Sequence, residues 1–366
     1  MKETGDRREM KALIDRLEER KILERSEFTA LIRGFDEEIT QYLYQKSRNI
    51  ALDVFGNRIF TRGLIEISSY CKNDCLYCGI RRSSKSAQRY RLTKEDILSC
   101  VEEGYSLGFR TFVLQGGEDA YFTDLRVCEI VSEIKERYPD CAVTLSIGEK
   151  TKRSYQSFFD AGADRYLLRH ETADREHYGR LHPSDMSFDE RRRCLYDLKE
   201  IGYQVGAGFM VGSPFQTAEC LTEDLIFLSE LKPHMVGIGP FVSHHDTPFR
   251  DRANGDTELT LFLLGILRLM MPKLLLPATT ALGTVSSDGR ERGVLAGANV
   301  VMPNLSPRDV RKKYLLYDSK VSDGAESAQS RRELARKMAS IGYELSDGRG
   351  DALEWTDVRK VKALED

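Results

Sequence analysis

From Gly63 onward, short β-branched, apolar runs alternate with amphipathic stretches, and this rhythm constrains the fold more than any other feature of the chain. Eight runs can be counted: Leu64–Ser68, Thr111–Leu114, Ala142–Ile147, Arg165–Arg169, Val205–Val211, Met235–Phe241, Leu274–Thr280 and Ala298–Met302. The stretches between them, Lys94–Leu107, Asp124–Tyr138, Tyr155–Ala161, Phe188–Ile201 and Ala218–Leu231, carry apolar residues at helical spacing. Thr93-x-x-Asp96 and Ser187-x-x-Glu190 have the capping-box form that opens a helix, and Gly108, Gly162 and Gly202 fall where helices end. Eight strands alternating with helices predict a complete, closed (β/α)8 barrel of the TIM type. The second choice is an open, partial barrel of six strands with the last two units as an appendage.

The flanks read differently. Residues 1–60 are helical in pattern: Met10–Arg20 and Thr29–Ile50 repeat apolar positions at helical spacing and carry no evident chemistry. The barrel is expected over residues 61–310. Residues 311–366 form a C-terminal cover, with a polar, turn-like Ser319–Ser330, one helix over Ser330–Ile341 and a polar tail. The 366 residues allow two domains, but α/β barrels run this long as one. A net charge of −3 gives no field to attract nucleic acid or an anionic membrane. The first eight residues are charged and lack the apolar core of a secretion signal. The most apolar run, Leu259–Met271, is interrupted by Arg268 and falls short of the roughly 20 residues that span a bilayer. A cytoplasmic location is therefore expected.

Ser69–Gly79 holds Cys71, Cys75 and Cys78, spaced C-x3-C-x2-C. Three thiolates can hold a [4Fe–4S] cluster and leave one of its four irons open for a ligand. Zinc would need a fourth ligand, and no second cysteine pair is present. A structural disulfide needs an oxidising compartment, for which nothing argues. Cys100, Cys128, Cys141, Cys194 and Cys220 are scattered and read as small buried apolar residues.

Barrel active sites lie at the C-terminal ends of the strands. Here those ends carry the cysteine loop, Gln115–Asp119, Ser146–Glu149, Arg169–Thr172, Gly212–Pro214, Gly239–Phe241, Pro277–Thr280 and Pro303-Asn304. Gly116, Gly117 and Glu118 allow a backbone to approach a ligand closely. Arg191 suits bidentate binding of a carboxylate, whereas Arg192 and Arg193 point elsewhere on their helix. Arg165 and Arg169 share a strand face. With His170, Thr279 and Thr280 they are candidates to line the barrel's interior or mouth and to take an anionic substrate. The bland alternative pairs the arginines with Glu149 or Glu171 and leaves His170 as a hydrogen-bonded core residue.

The cysteine spacing resembles the signature of the radical S-adenosylmethionine (SAM) superfamily. Tyr70–Gly79, Leu114–Asp119, Gly162–Ala173, Gly206–Gly212, Met235–Phe241 and Pro277–Ala281 together resemble one family within it, the [FeFe]-hydrogenase H-cluster maturases called HydE. The resemblance runs from about residue 28 to about residue 317. It implies a [4Fe–4S] cluster on the three cysteines with SAM at the open iron, and Tyr77 beside the adenine. It implies Gly116-Gly117-Glu118 at the SAM amino group, Glu171 and Arg191 as SAM-binding residues, and Arg165, Arg169, Thr279 and Thr280 in the cavity. It further implies reductive cleavage of SAM to a 5′-deoxyadenosyl radical and work on an iron–cyanide–carbonyl precursor, a small organometallic substrate. The implied partners are a reduced ferredoxin or flavodoxin and the maturases HydG and HydF. Two departures stand out: no cysteine follows Cys220, so no second cluster is expected, and Val310 stands where some members place a tyrosine near SAM. A methylornithine or biotin synthase relative, and a non-catalytic iron–sulfur scaffold, are the competing readings.

Overall fold

The structure, a computed structural model, describes residues 6–320 and 327–359. Six parallel strands, Gly63–Ser68, Thr111–Gly116, Ala142–Ser146, Arg165–Leu167, Gln204–Ala207 and Met235–Val236, lie side by side in chain order. The seventh expected run contributes only bridges: Leu275 N–H donates to the His234 carbonyl at 3.0 Å, and Ala278 N–H to that of Val300 at 2.9 Å. The eighth closes the ring, because Leu64 N–H donates to the Pro303 carbonyl at 2.9 Å and Leu305 N–H to that of Leu64 at 2.7 Å. The open six-stranded alternative is thereby set aside. Pro277 and Pro303 have no N–H to give a ladder, which is one reason these last two runs pair so sparsely.

The fifth and sixth runs each break in two. Their second halves, Met210–Val211 and Gly239–Pro240, pair with each other in a separate ladder. The break falls at Gly208, where φ is +155° and a Cβ would lie 2.0 Å from the Gly237 carbonyl oxygen. Only glycine permits that backbone contact.

The outer helices follow their sequence signals. Phe188–Ile201 opens on Ser187, whose side chain accepts from Glu190 N–H, and ends at Gly202 with φ +107°. Lys94–Ser106 opens on a full capping box between Thr93 and Asp96. Three N-terminal helices, Arg7–Arg20, Arg25–Gly34 and Glu37–Phe55, pack against Ala218–Leu231 and Thr257–Met270. Phe35 stacks on Phe262 with ring centroids 4.7 Å apart. Among the described residues no helix is long and apolar enough to cross a membrane. Arg268, in the most apolar helix, is fully buried and donates to three carbonyls and to Asn299.

The C-terminal segment returns to the floor of the barrel. Arg58–Thr61 pairs with Val300–Val301 on one side and with Glu344–Ser346 on the other. Beyond that strand, Ala352 joins Phe55, Met235, Leu275 and Val300 in a small apolar cluster of its own. Asp164, 1% exposed, is flanked by Lys135 at 3.3 Å, Arg349 at 3.2 Å and Arg359 at 3.0 Å.

Candidate active site

The opposite end, where the strands terminate, carries the cysteine loop. Its backbone is tied to three neighbours: Lys72 N–H donates to the Glu118 carbonyl, Leu76 N–H to that of Leu181, and Gly79 N–H to that of Leu316, all within 2.8–3.0 Å. Cys71, Cys75 and Cys78 are free and half-buried. Burial pushes the Cys78 thiol up to about 12, with Cys71 adding to the effect. Burial likewise holds Cys75 well above the ordinary thiol range, and Cys78 and Cys71 raise it further. Buried thiols that resist ionisation on their own are a set whose negative charge a bound metal centre would stabilise. The donor set therefore fits an iron–sulfur cluster.

Gly117 is imposed by this loop: a Cβ there would lie 2.2 Å from the Tyr70 carbonyl oxygen and 2.7 Å from the Cys71 Cβ. Gly116 is less tightly held, with Ile67 at 3.3 Å from the same imagined atom. Glu118 is buried, accepts from Glu149 N–H at 3.0 Å and pairs with Lys72 at 3.1 Å. Tyr77 is locked by His182. The ring nitrogen Nδ1 of His182 faces the Tyr178 carbonyl at 3.0 Å, so it carries the proton, and Nε2 accepts the Tyr77 hydroxyl at 3.2 Å. The two rings meet edge-on at 5.5 Å.

Arg191 comes from the second turn of the Phe188–Ile201 helix and is buried at the mouth. Its Nε donates to Glu149, and Nη1 donates to the Arg169 carbonyl at 3.0 Å. Glu149 titrates above the usual carboxylate range because burial outweighs the attraction of Arg191. Residues 169–171 follow the end of the fourth strand and diverge. Arg169 and Glu171 turn inward as an ion pair at 3.3 Å, while His170 turns outward. His170 sits against Phe209 and Phe227, accepts Gly208 N–H at Nδ1 and donates to Asp224 from Nε2. The expectation that His170 lines the cavity is therefore corrected: it is a core residue between sheet and helix. Glu171 has φ +65°, a strained value for a residue with a side chain.

Arg165 lies at the other end of the lumen, not at the mouth. Its guanidinium donates to Thr111 at 2.9 Å, to Gln204 at 3.3 Å, to the Arg349 carbonyl at 2.9 Å and to Asp351 at 2.8 Å. Neither Glu149 nor Glu171 is among those partners. Thr280 opens a short helix, Thr280–Val285, and Thr279 precedes it as a half-buried residue.

Several buried polar atoms have no hydrogen-bond partner in the structure. Those around the barrel interior that also lack an ion-pair partner are Nε of Arg169, Oγ1 of Thr279, Nε and Nη2 of Arg62, and Oγ1 of Thr144; Nη2 of Arg169 and Oε2 of Glu171 meet only each other. Native interiors hold few such atoms, and each calls for a ligand, ion or water. Sequence reasoning missed Arg62, Thr144, Glu66 and Lys320. Glu66 had a signal, a lone acid in the apolar strand Gly63–Ser68. His244, His245 and Asp318 also converge, but Nδ1 of His244 accepts Asp246 N–H at 3.1 Å. A metal-bound Nε2 would want that nitrogen protonated.

The family model described as the Radical SAM superfamily matches residues 65–228. The chain is 44% identical over 308 residues to the [FeFe] hydrogenase maturase subunit HydE of Thermotoga maritima, covering 82% of this chain and 86% of that one. The chain belongs to the HydE family of radical SAM enzymes. A 3-methylornithine synthase of Methanosarcina barkeri is 30% identical over 341 residues, covering 92% of this chain and 94% of that one. The solved structure of methylornithine synthase, PylB, matches with TM-score 0.80 and 29% identity, covering 91% of this chain and 97% of that chain. Membership of the radical SAM superfamily implies a [4Fe–4S] cluster and SAM, and Cys71, Cys75 and Cys78 fit its usual motif.

Proposed function

We propose that this chain processes an iron–cyanide–carbonyl precursor of the [FeFe]-hydrogenase H-cluster, using a cluster on Cys71, Cys75 and Cys78 whose fourth iron takes SAM. When bound, that pair of cofactors supplies a 5′-deoxyadenosyl radical by reductive cleavage of the S–C5′ bond. The chain's own residues bind and orient. Tyr77, held by His182, offers an aromatic edge to the adenine, and the Gly116-Gly117-Glu118 turn faces the amino group. Glu171 accepts from the ammonium or ribose. Arg191, already charged and buried, supplies the cation that the SAM carboxylate needs. The single observation that carries the substrate reading is the set of buried donors left without a partner among the described residues, Nε of Arg169, Oγ1 of Thr279, Nε and Nη2 of Arg62 and Oγ1 of Thr144, which suits a ligand rich in anionic acceptors. Arg165 and Thr280 complete that cavity at its floor and rim. Its closed walls exclude water from the radical.

The reading extends to a reduced ferredoxin or flavodoxin as electron source, to HydG and HydF as co-workers, and to the cytoplasm as the site of action. We read residues 1–60, 61–310 and 311–366 as extension, barrel and cover. The similarity to 3-methylornithine synthase at 30% identity favours a second reading, synthesis of a methylated amino acid of that kind. The test is anaerobic reconstitution with iron and sulfide, then dithionite and SAM. Formation of 5′-deoxyadenosine is expected, and its absence from a fully loaded protein overturns the proposal. Consumption of the iron–cyanide–carbonyl species, against formation of 3-methylornithine, separates the two readings.

A further inference from the structure

The cysteine loop sits in the most basic stretch of an acidic chain. Between Lys72 and Arg91 there are six cations (Lys72, Arg81, Arg82, Lys85, Arg89 and Arg91) and one acid, Asp74, a local net of +5 where the whole chain carries −3. Three of the six are neutralised: Arg81 by Asp74 at 2.6 Å, Arg91 by Asp119 at 2.7 Å and Lys72 by Glu118 at 3.1 Å. Arg89 spends its guanidinium on the backbone carbonyls of Ser69, Ile80 and Arg81, so its charge meets no carboxylate among the described residues. Arg82 and Lys85 are exposed and have no ion-pair partner among the described residues.

The loop bearing these charges is tied down by two carboxylates. Asp246 accepts from the Ser84 and Ser86 hydroxyls and from the N–H groups of Lys85 and Ser86, within 2.7–2.9 Å. Asp74 accepts from Ser83 in the same way. Both acids are turned into the loop and spent on holding it. Beside the loop lies an aromatic step. Arg91 stacks 3.8 Å over Tyr70 and 5.0 Å from Tyr121, and Arg126, with no carboxylate partner among the described residues, stacks 4.0 Å over Tyr121. Tyr70 is 37% exposed, Tyr121 36% and Leu125 69%, so an apolar centre sits among the cations. Tyr70 directly precedes Cys71, and Arg81 N–H bonds the Cys78 carbonyl at 3.1 Å, so the patch adjoins two of the three cysteines.

We infer that the surface formed by Tyr70, Arg82, Lys85, Tyr121, Leu125 and Arg126 docks a small acidic protein that delivers single electrons to the cysteine-bound cluster. The inference rests on the radical SAM reading above. Opposite charge steers encounter and sets orientation, and exposed aromatic residues supply the desolvated centre of an interface. One electron leaves the donor, which is oxidised by one unit, and enters the cluster, which is reduced by one.

The test uses the full chain and an acidic flavodoxin. Binding of the oxidised flavodoxin is titrated at low and high ionic strength. The double variant Arg82→Glu/Lys85→Glu, and separately Arg126→Glu, should weaken binding at low salt by about tenfold or more and flatten the salt dependence. The control Arg8→Glu/Arg20→Glu lies on the first N-terminal helix and should stay within about twofold of wild type. In the reconstituted protein, 5′-deoxyadenosine formation driven by reduced flavodoxin should fall with the patch variants while the dithionite-driven rate holds. Unchanged flavodoxin affinity in both patch variants, or an equal loss in the control, overturns the docking surface. Failure of dithionite to produce 5′-deoxyadenosine overturns the enzymatic reading instead, and the binding titration still decides the surface.

Discussion

Lys320 reaches across the mouth of the barrel to the carboxylate of Glu66, and the pair is buried, with side chains 6% and 0% exposed. Lys320 also donates to the Tyr314 carbonyl at 2.9 Å, and the Asn304 amide donates to the other Glu66 oxygen at 2.9 Å. The chain following the barrel is thus pinned to the middle of its first strand.

Breaking that pair from one side leaves a charge without a partner. Lys320→Met should destabilise the protein by about 3–5 kcal/mol, and Lys320→Met/Glu66→Gln should recover much of the loss. A denaturant double-mutant cycle measures the coupling. Additive single effects would mean that the contact carries no energy.

Arg191→Ala should weaken SAM binding while leaving the iron content of the reconstituted protein intact. It also orphans Glu149, so a stability loss of a few kcal/mol accompanies it. Arg191→Ala/Glu149→Gln should restore much of the stability without restoring SAM affinity. Loss of iron in either variant would move Arg191 from the SAM site to the cluster.

His182 links acid stability to the site. Burial holds its folded pKa down to about 3, against about 6.5 for an unfolded histidine. The unfolded chain therefore takes up the proton first, and the stability held above pH 6.5 drains away as pH falls toward 3. His182→Phe removes this contribution, so its stability should fall less steeply over that window. Parallel pH profiles for the two proteins would refute the assignment.

At the floor, Asp351→Ala should cost more than an ordinary surface change because it uncovers Arg165, 0% exposed. A loss of about 3–5 kcal/mol is expected for a stripped buried charge. Arg165→Met in the same chain should offset part of it. Chemical unfolding of the three variants supplies the comparison.

Much of the architecture is written locally. Ser187 and Glu190 cap their helix, Gly202 ends it, and the apolar run Leu64–Ser68 marks a strand buried on both faces, so these elements could be read from neighbours in the chain. The cysteine spacing is equally local. What could not be read is contact between distant segments. The partner of Arg165 lies at Asp351, and that of Glu66 at Lys320, in stretches with weak patterns of their own. His170 was misplaced for a related reason. It lies past the end of its strand, and its direction is set by Asp224, Gly208, Phe209 and Phe227, all distant in the chain. Seven and eight paired less than expected because proline, which has no local substitute for its missing N–H, interrupts both.

The seal beneath Arg165 has a consequence for synthesis. Residues 349–352 leave the ribosome after the eight units they cover, so during translation the guanidinium of Arg165 has only Thr111 and Gln204 and waits for the carboxylate of Asp351. A chain halted before Arg349 would therefore keep a buried cation without its counter-charge, a defect that chaperones and proteases can discriminate from the finished fold.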